Sequence, residues 1–380
     1  MDKVIYVDHS ATTPVSLEVL NEMLPYFEKN YGNASSIYSV GRISRAAIDN
    51  SRQKVADALN AKVQEIYFTA GGSESNNMII TGIMNANKQK GNHMITTKIE
   101  HLAILNTCKY LESIGFEVTY LDVNSEGLIN INELQKAIRP TTVLVSIMAA
   151  NNEVGVIQPL EEIGKITSFK NIYFHTDAVQ AIGNIDIDVK KLNIDALSLS
   201  GHKFYGPKGV GAAYIKENIK FNPVIYGGHQ ENSKRAGTEN VPGIVGLGKA
   251  IEIAKRDIDE NNKKLLELRE YCISKLEENI PGVVINGHRT KRLPGNVNFS
   301  IPNFNGESML LMLDMDNICA SSGSACTAGS IEPSHVLKAL NIDKKYSTSA
   351  LRFSLGIKNT KQEIDYIIES LKKIYNKLKK

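Results

Sequence analysis

Short apolar runs alternate with helix-spaced apolar positions through the first part of the chain. Leu20, Met23, Leu24 and Phe27 fall at helical spacing, as do Ile48, Val55 and Leu59. The runs EIYFT, HMITT, FEVTYL, TVLVSIMA, IYFHTD, ALSLS and VGAAYIK read as seven strands, most of them separated by helical stretches. Strand alternating with helix predicts an α/β fold with a largely parallel sheet covered on both faces, and such sheets bind ligands at the carboxyl ends of their strands. One long helical stretch then runs from NVPG to LEEN. After it the texture changes to VVING, NVNFSI, ESMLLML, ICAS, ALRFSLG and a terminal helix, which predicts a smaller α/β domain joined through that helix.

A chain of 380 residues, 42% hydrophobic and 22% charged, has room for one large domain and a smaller one of ordinary soluble composition. Forty-four basic against 41 acidic residues give a net charge of +3, too balanced to point to nucleic acid. The basic run KKIYNKLKK reads as a solvated helix end. MDKVIYVDHSATTP carries two acidic residues and no long apolar stretch, unlike a signal peptide. No window approaches about eighteen uninterrupted apolar residues, so no spanning helix and no membrane partner is expected.

The cysteines Cys108, Cys272, Cys319 and Cys326 make no C-x-x-C pair and no zinc-type spacing, so the expectation is a cytoplasmic protein with reduced thiols and no metal. Cys108 and Cys272 lie in helical patterns as packing residues, and Cys319 reads as a strand residue. Cys326 is different. It stands in SSGSACTAG, among small and polar neighbours that give a thiol nothing to pack against, and a cysteine so placed points to reactivity.

Polar groups cluster where the strands stop. Gly71, Gly72 and Ser73 break one strand and open a helix, which suits an anion site and an ordinary helix N-cap equally. Asp177 ends IYFHTD, with Gln180 three residues on. A carboxylate there can hold a cationic ring nitrogen, or simply cap a helix. The apolar strand ALSLS runs into Ser200, Gly201, His202 and Lys203. A lysine set directly after a buried strand is partly desolvated, its pKa lowered toward the neutral amine that Schiff-base chemistry needs. Lys208, among the turn residues of GPKGVG, is the weaker candidate. Together these pieces match a pyridoxal-phosphate site: amides and hydroxyls for the phosphate, a carboxylate for the pyridinium nitrogen, a lysine for the aldehyde.

Over nearly its whole length the chain resembles the cysteine desulfurases of the class V aminotransferase group, within pyridoxal-phosphate fold type I. The resemblance is carried in order by DHSATTP, GNASS, TAGGSESNN, EHLAILNT, NNEVG, HTDAVQ, SGHKFYGPKG, RAGTEN, SSGSACTAGSIEPSHVL and RFSLG. The long SSGSAC loop is similar to the iron–sulfur-cluster type of the family. Tyr38 and Ser73 depart from it, standing where histidine and threonine are usual.

That resemblance implies a large cofactor-binding domain over 16–255 with a mostly parallel seven-stranded sheet. A small domain of 1–15 and 256–380 would carry the cysteine loop. It implies Lys203 as the Schiff-base lysine, Asp177 on the pyridine nitrogen, Gln180 on the ring hydroxyl and His101 stacked on the ring. Gly72, Ser73, Ser200 and His202 would hold the phosphate, with Thr238 reaching in from a second subunit of a homodimer. Asn152 and Arg352 would bind the carboxylate of L-cysteine. Cys326 would be the nucleophile that receives sulfur as a persulfide, for transfer to an acceptor protein such as an iron–sulfur scaffold or a tRNA-thiolation enzyme. The alternatives are a selenocysteine lyase, another enzyme of the same fold, and a non-enzymatic sulfur carrier.

Overall fold

The computed structural model describes residues 4–322 and 334–379. Among them the strands, in chain order, are β1 (Ile5–Tyr6), β2 (Ile66–Thr69), β3 (His93–Thr97), β4 (Glu117–Leu121), β5 (Thr142–Ser146), β6 (Tyr173–Asp177), β7 (Ala196–Ser200), β8 (Gly211–Ile215), β9 (Val284–Ile285), β10 (Asn296–Ser300), β11 (Ile318–Cys319) and β12 (Ala350–Ser354). Seven of them form one sheet in the order β2-β8-β7-β6-β5-β3-β4. β8 is antiparallel to both neighbours and every other pairing is parallel. The other six strands therefore point the same way, and their carboxyl ends share one edge.

The central strands are buried along their whole length, as a sheet covered on both faces requires. Successive residues feed opposite cores. Phe68, Leu197 and Ala212 pack with Ile48, Val55 and Leu247, from helices Ser39–Leu59 and Val241–Arg256. Their neighbours Tyr67, Ala196 and Ala213 pack with Ile79, Ile83 and Ile104, from helices Gly72–Ala86 and Leu102–Ser113. β4 closes one edge with an exposed Glu117, which fits a strand with no further partner.

A third core gathers Ile5 and Val7 with Leu268, Val297, Phe353 and Ile367. Here β10 lies between β12 and β9, antiparallel to both, and β1 pairs with β11 in parallel.

One sequence expectation needs correction. The single long helix is two, Val241–Arg256 and Ile258–Asn279, meeting at Asp257 (φ −102°, ψ 11°). Ile244 and Leu247 of the first belong to the large-sheet core, whereas Leu268 and Leu276 of the second belong to the small one. One straight helix cannot aim its apolar face at both. The spacing of Leu20, Met23, Leu24 and Phe27 does mark helices, Leu17–Met23 and Pro25–Glu28; Met23 is buried, and Leu20, Leu24 and Phe27 are exposed.

Cys108 and Cys272 are buried packing residues, their thiols pushed up to about 12 by burial. Cys319 is partly buried in β11. Among the described residues no helix is long and apolar enough to cross a membrane, and no group of three His, Cys, Asp or Glu is placed to hold a metal ion.

Candidate active site

A cleft of about 270 Å³ opens at the shared carboxyl edge of the sheet. Its lining includes ten residues selected from the sequence, and they divide into corners of distinct chemistry.

In the first corner β2 ends and the chain turns through Gly71, whose φ of +154° favours glycine, into the helix Gly72–Ala86. The first intrahelical bond is Ser75 N–H to the Gly71 carbonyl, which leaves the amides of the opening turn available to an anion. Gly72 is required here, since a Cβ would lie 2.6 Å from Val179 Cγ2. Ser73, Ser200 and His202 line the same cleft. His202 Nδ1 lies 3.1 Å from Thr12 Oγ1. Burial first, then the charges of Lys203 and Lys208, push this imidazole down to about 4, so it is neutral near pH 7.

In the second corner Asp177 ends β6 and is buried. Its Oδ2 accepts from Asn76 Nδ2 at 2.7 Å and its Oδ1 from Val179 N–H at 2.9 Å, which together fix the plane of the carboxylate. Gln180 Nε2 donates to the Ser10 carbonyl at 2.9 Å. His101 caps the helix Leu102–Ser113, its Nδ1 accepting from Ala103 N–H at 3.1 Å, so the neutral ring carries its proton on Nε2. Burial holds its pKa below the usual histidine range; Asp177 opposes that shift and Lys203 and His335 add to it.

β7 leads into a tight turn, Gly201–Lys203, and Lys203 Nζ donates to the carbonyls of Ser10 at 2.6 Å and Ala11 at 2.8 Å. Lys208 is exposed. The apolar strand before Lys203 thus places that lysine, and not Lys208, in the cleft.

In the last corner Arg352 of β12 is buried. Its Nη1 donates to the Asn152 carbonyl at 3.0 Å and its Nη2 to Asp8 Oδ1 at 2.6 Å, while its Nε is buried with no partner among the described residues. Asn152 stands in a tight turn, where Asn151 Oδ1 accepts from the amides of Glu153 (2.8 Å) and Val154 (2.9 Å). Gly155 completes that turn at φ +75°, and a Cβ there would lie 2.6 Å from Asn296 Cγ.

Two selected residues are not brought to the cleft. Thr238 lines a separate one with Arg235 and Glu239, and Cys326 lies outside the described residues. Several residues of the site had no assigned role in the sequence: Asp8, Ser10, Ala11, Asn76, Glu100 and Glu153. The polar run DHSATT after an apolar strand is the signal that could have drawn attention to the first three. Glu100 is fully buried, and burial pushes its carboxyl up to about 8. Its Oε1 accepts from Thr97 Oγ1 (2.8 Å) and Met148 N–H (2.9 Å).

The donor set fits pyridoxal phosphate. A helix N-terminus with hydroxyls faces a neutral imidazole for an anion, a fixed buried carboxylate suits a protonated ring nitrogen, and a primary amine lies within the same cleft. The family model described as Aminotransferase class-V matches residues 5–367. The chain belongs to that family. It is 54% identical over 378 residues to the cysteine desulfurase IscS of Methanosarcina thermophila, covering 100% of this chain and 93% of that protein. It is also 54% identical over 376 residues to the IscS of Clostridium botulinum strain Hall (98% and 95%). Among solved structures, a NifS-like protein superposes with a TM-score of 0.93 at 39% identity, over 98% of this chain and all of the other. SspA in complex with cysteine gives 0.84 at 39% identity, over 94% and 100%. Family membership accounts for the shared fold; the roles of single residues rest on the geometry above.

Proposed function

We infer that this chain is a pyridoxal-phosphate-dependent cysteine desulfurase, converting L-cysteine and an enzyme thiol into L-alanine and an enzyme persulfide. The observation that carries the reading is the single cleft lined by Lys203, Asp177, the Gly72–Ser73 turn and Arg352. When bound, the cofactor supplies an electron sink that makes the α-proton of an amino acid acidic. Gly72, Ser73, Ser200 and His202 bind its phosphate, Asp177 holds the ring proton, and Gln180 and His101 orient the ring. Arg352 and the Asn152 turn grip the substrate carboxylate through the planar guanidinium. Lys203 would hold the cofactor aldehyde, and its Nζ would carry the α-proton of the substrate. The Cys326 thiolate takes the substrate sulfur, forming its S–S bond as the substrate C–S bond breaks.

The sulfur passes to an acceptor protein such as an iron–sulfur scaffold, a tRNA-thiolation enzyme or another carrier, and the protein acts in the cytoplasm. The division into a large unit (16–255) and a small one (1–15 with 256–380) is supported by the separate core of Ile5, Val7, Leu268, Val297, Phe353 and Ile367, while Val336, Leu337 and Leu340 of the small unit pack in the large-sheet core. A homodimer is supported by the helix face that its own chain leaves uncovered. Leu17, Leu20 and Leu24 recur at i, i+3 and i+7 and are all exposed, with Phe27 beyond them. The test is alanine formation from L-cysteine by the holoenzyme, run beside Cys326→Ser. The variant is expected to take up cofactor normally and to form almost no persulfide. A Cys326→Ser protein that transfers sulfur at the parental rate defeats the reading.

A further inference from the structure

Residues 334–340 follow the cysteine-bearing stretch, and they are fastened to the cleft by two contacts that the catalytic roles above do not use. Ser334 Oγ donates to Glu153 Oε2 at 2.6 Å while accepting from Val336 N–H at 3.0 Å as the cap of helix His335–Ala339. His335 Nε2 lies 2.9 Å from the Glu100 carbonyl. Glu153 directly follows Asn152, and Glu100 directly precedes His101. Each contact therefore registers this helix against a residue adjoining the cleft. Val336, Leu337 and Leu340 then bury themselves in the large-sheet core.

Glu153 is the centre of the arrangement. It is fully buried, and its carbonyl accepts from Asn296 Nδ2 (3.0 Å) and Asn298 Nδ2 (3.2 Å) of β10. Its carboxyl group takes one hydrogen bond, from Ser334, and its other oxygen has no partner among the described residues. Burying a carboxyl group is costly even beside a serine donor, so this contact is better explained by a role in alignment than by stability. On the other side of the cysteine-bearing stretch, Ser321 and Arg352 exchange backbone hydrogen bonds, Ser321 N–H to Arg352 O at 3.2 Å and Arg352 N–H to Ser321 O at 2.6 Å. Cys326 falls between these attachments in the sequence, eight residues before Ser334. The effective concentration of a tethered group depends on how its tether is held.

We propose that Glu153 is a positioning residue for sulfur transfer: its carboxylate holds Ser334, and through it the near attachment of the thiol-bearing stretch, in register with Asn152 and Arg352. This assignment rests on the desulfurase reading. It deepens that reading by naming a residue that touches neither substrate nor cofactor.

The experiment compares the parent holoenzyme with Glu153→Ala, Glu153→Gln and Ser334→Ala. Three quantities are read: cofactor uptake, amide exchange over 334–340, and persulfide formed on Cys326 in a single turnover, trapped by alkylation and weighed by mass spectrometry. Glu153→Ala is expected to take up cofactor as the parent does, to exchange faster over 334–340, and to form persulfide roughly tenfold more slowly or worse, the range for losing a hydrogen bond to a charged group. Glu153→Gln keeps an acceptor for Ser334 and is expected to stay within about threefold of the parent. Ser334→Ala, a smaller change, should reproduce the loss seen in Glu153→Ala. A parental rate in Ser334→Ala or Glu153→Ala overturns the assignment, as does a Glu153→Ala protein whose cofactor uptake falls as far as its persulfide yield. A parent that makes no alanine from L-cysteine sinks the desulfurase reading and this one with it. A parent that turns over beside unaffected variants sinks only this one.

Discussion

Arg352 Nη2 donates to Asp8 Oδ1 at 2.6 Å, joining a residue of the cleft lining to one 344 positions away in sequence. The pair fixes the guanidinium on one side while the Asn152 carbonyl fixes it on the other, so its orientation is set before any substrate arrives. Arg352→Lys keeps the charge and loses the planar fork. The expected result is weaker L-cysteine binding by about 1–3 kcal/mol with cofactor uptake intact. Unchanged saturation kinetics would show that Arg352 does not grip the carboxylate.

Lys203 and Lys208 offer a matched comparison. Lys203 lies in the cleft against the Ser10 and Ala11 carbonyls, and Lys208 is exposed. Lys203→Ala is expected to abolish the visible absorption of covalently held pyridoxal phosphate, and Lys208→Ala to preserve it. The reverse pattern in the spectra would overturn the placement of the lysine.

The buried carboxyl of Glu100 makes stability depend on pH in a set direction. Its pKa is pushed up to about 8 by burial. Between its ordinary value and about 8 the folded state keeps a proton that the unfolded chain has released. The group's contribution is therefore full below the ordinary carboxylate range and is lost as pH rises toward 8, at roughly 1.4 kcal/mol per pH unit. Glu100→Gln keeps an acceptor for Thr97 and Met148 and cannot ionise. Urea titrations at several pH values should show the variant gaining on the parent as pH rises through this window; parallel curves would refute the protonated state.

A second buried pair anchors the segment that leads to Thr238. Arg52 Nη1 and Nη2 donate to Glu231 Oε2 (2.6 Å) and Oε1 (2.7 Å), and Phe68 N–H donates to the same carboxylate at 2.8 Å. The anchored residues Glu231, Asn232 and Ser233 all take positive φ, 45°, 53° and 62°, which needs support from the surrounding structure. Glu231→Ala leaves a buried guanidinium unpaired and is expected to cost about 3–5 kcal/mol. A change in thermal midpoint no larger than that of a surface substitution would count against it.

The exposed face of Leu17, Leu20 and Leu24 bears on assembly. Leu24→Glu places a charge on that face without disturbing a buried contact of its own chain, since Leu24 is exposed. Sedimentation is expected to show a dimer for the parent and a shift toward monomer for the variant. An active monomeric parent would exclude a second subunit from the site.

Much of this was legible along the chain because period and burial are linked. Strands buried on both faces read as continuous apolar runs, and the run before Lys203 separated it from an exposed lysine five residues on. The break at Asp257 was not legible. A helical pattern says which side is apolar, not that its two halves serve different cores. The grip on Lys203 was hidden for another reason: the carbonyls of Ser10 and Ala11 are backbone atoms, common to every residue type. Glu100 and Glu153 carry no signal of their own in the sequence, and their burial by distant segments is what changes their chemistry.

The stretch from Ile5 to Ala11 ties the two cores together, and this has a consequence for synthesis. Ile5 pairs with Ile318, His9 N–H bonds to the Ser354 carbonyl at 3.1 Å, and the Ser10 and Ala11 carbonyls hold Lys203. A ribosome therefore makes one half of each outer contact hundreds of residues before the other. While the large sheet assembles from neighbouring strand–helix units, this stretch lacks its β11 and β12 partners until those strands have cleared the exit tunnel. The catalytic pocket is thus among the last parts of the molecule to close, and a nascent chain arrested before Ser354 would carry Lys203 and the Ser10 and Ala11 carbonyls without the β12 contacts that hold His9 and Ser10 in place.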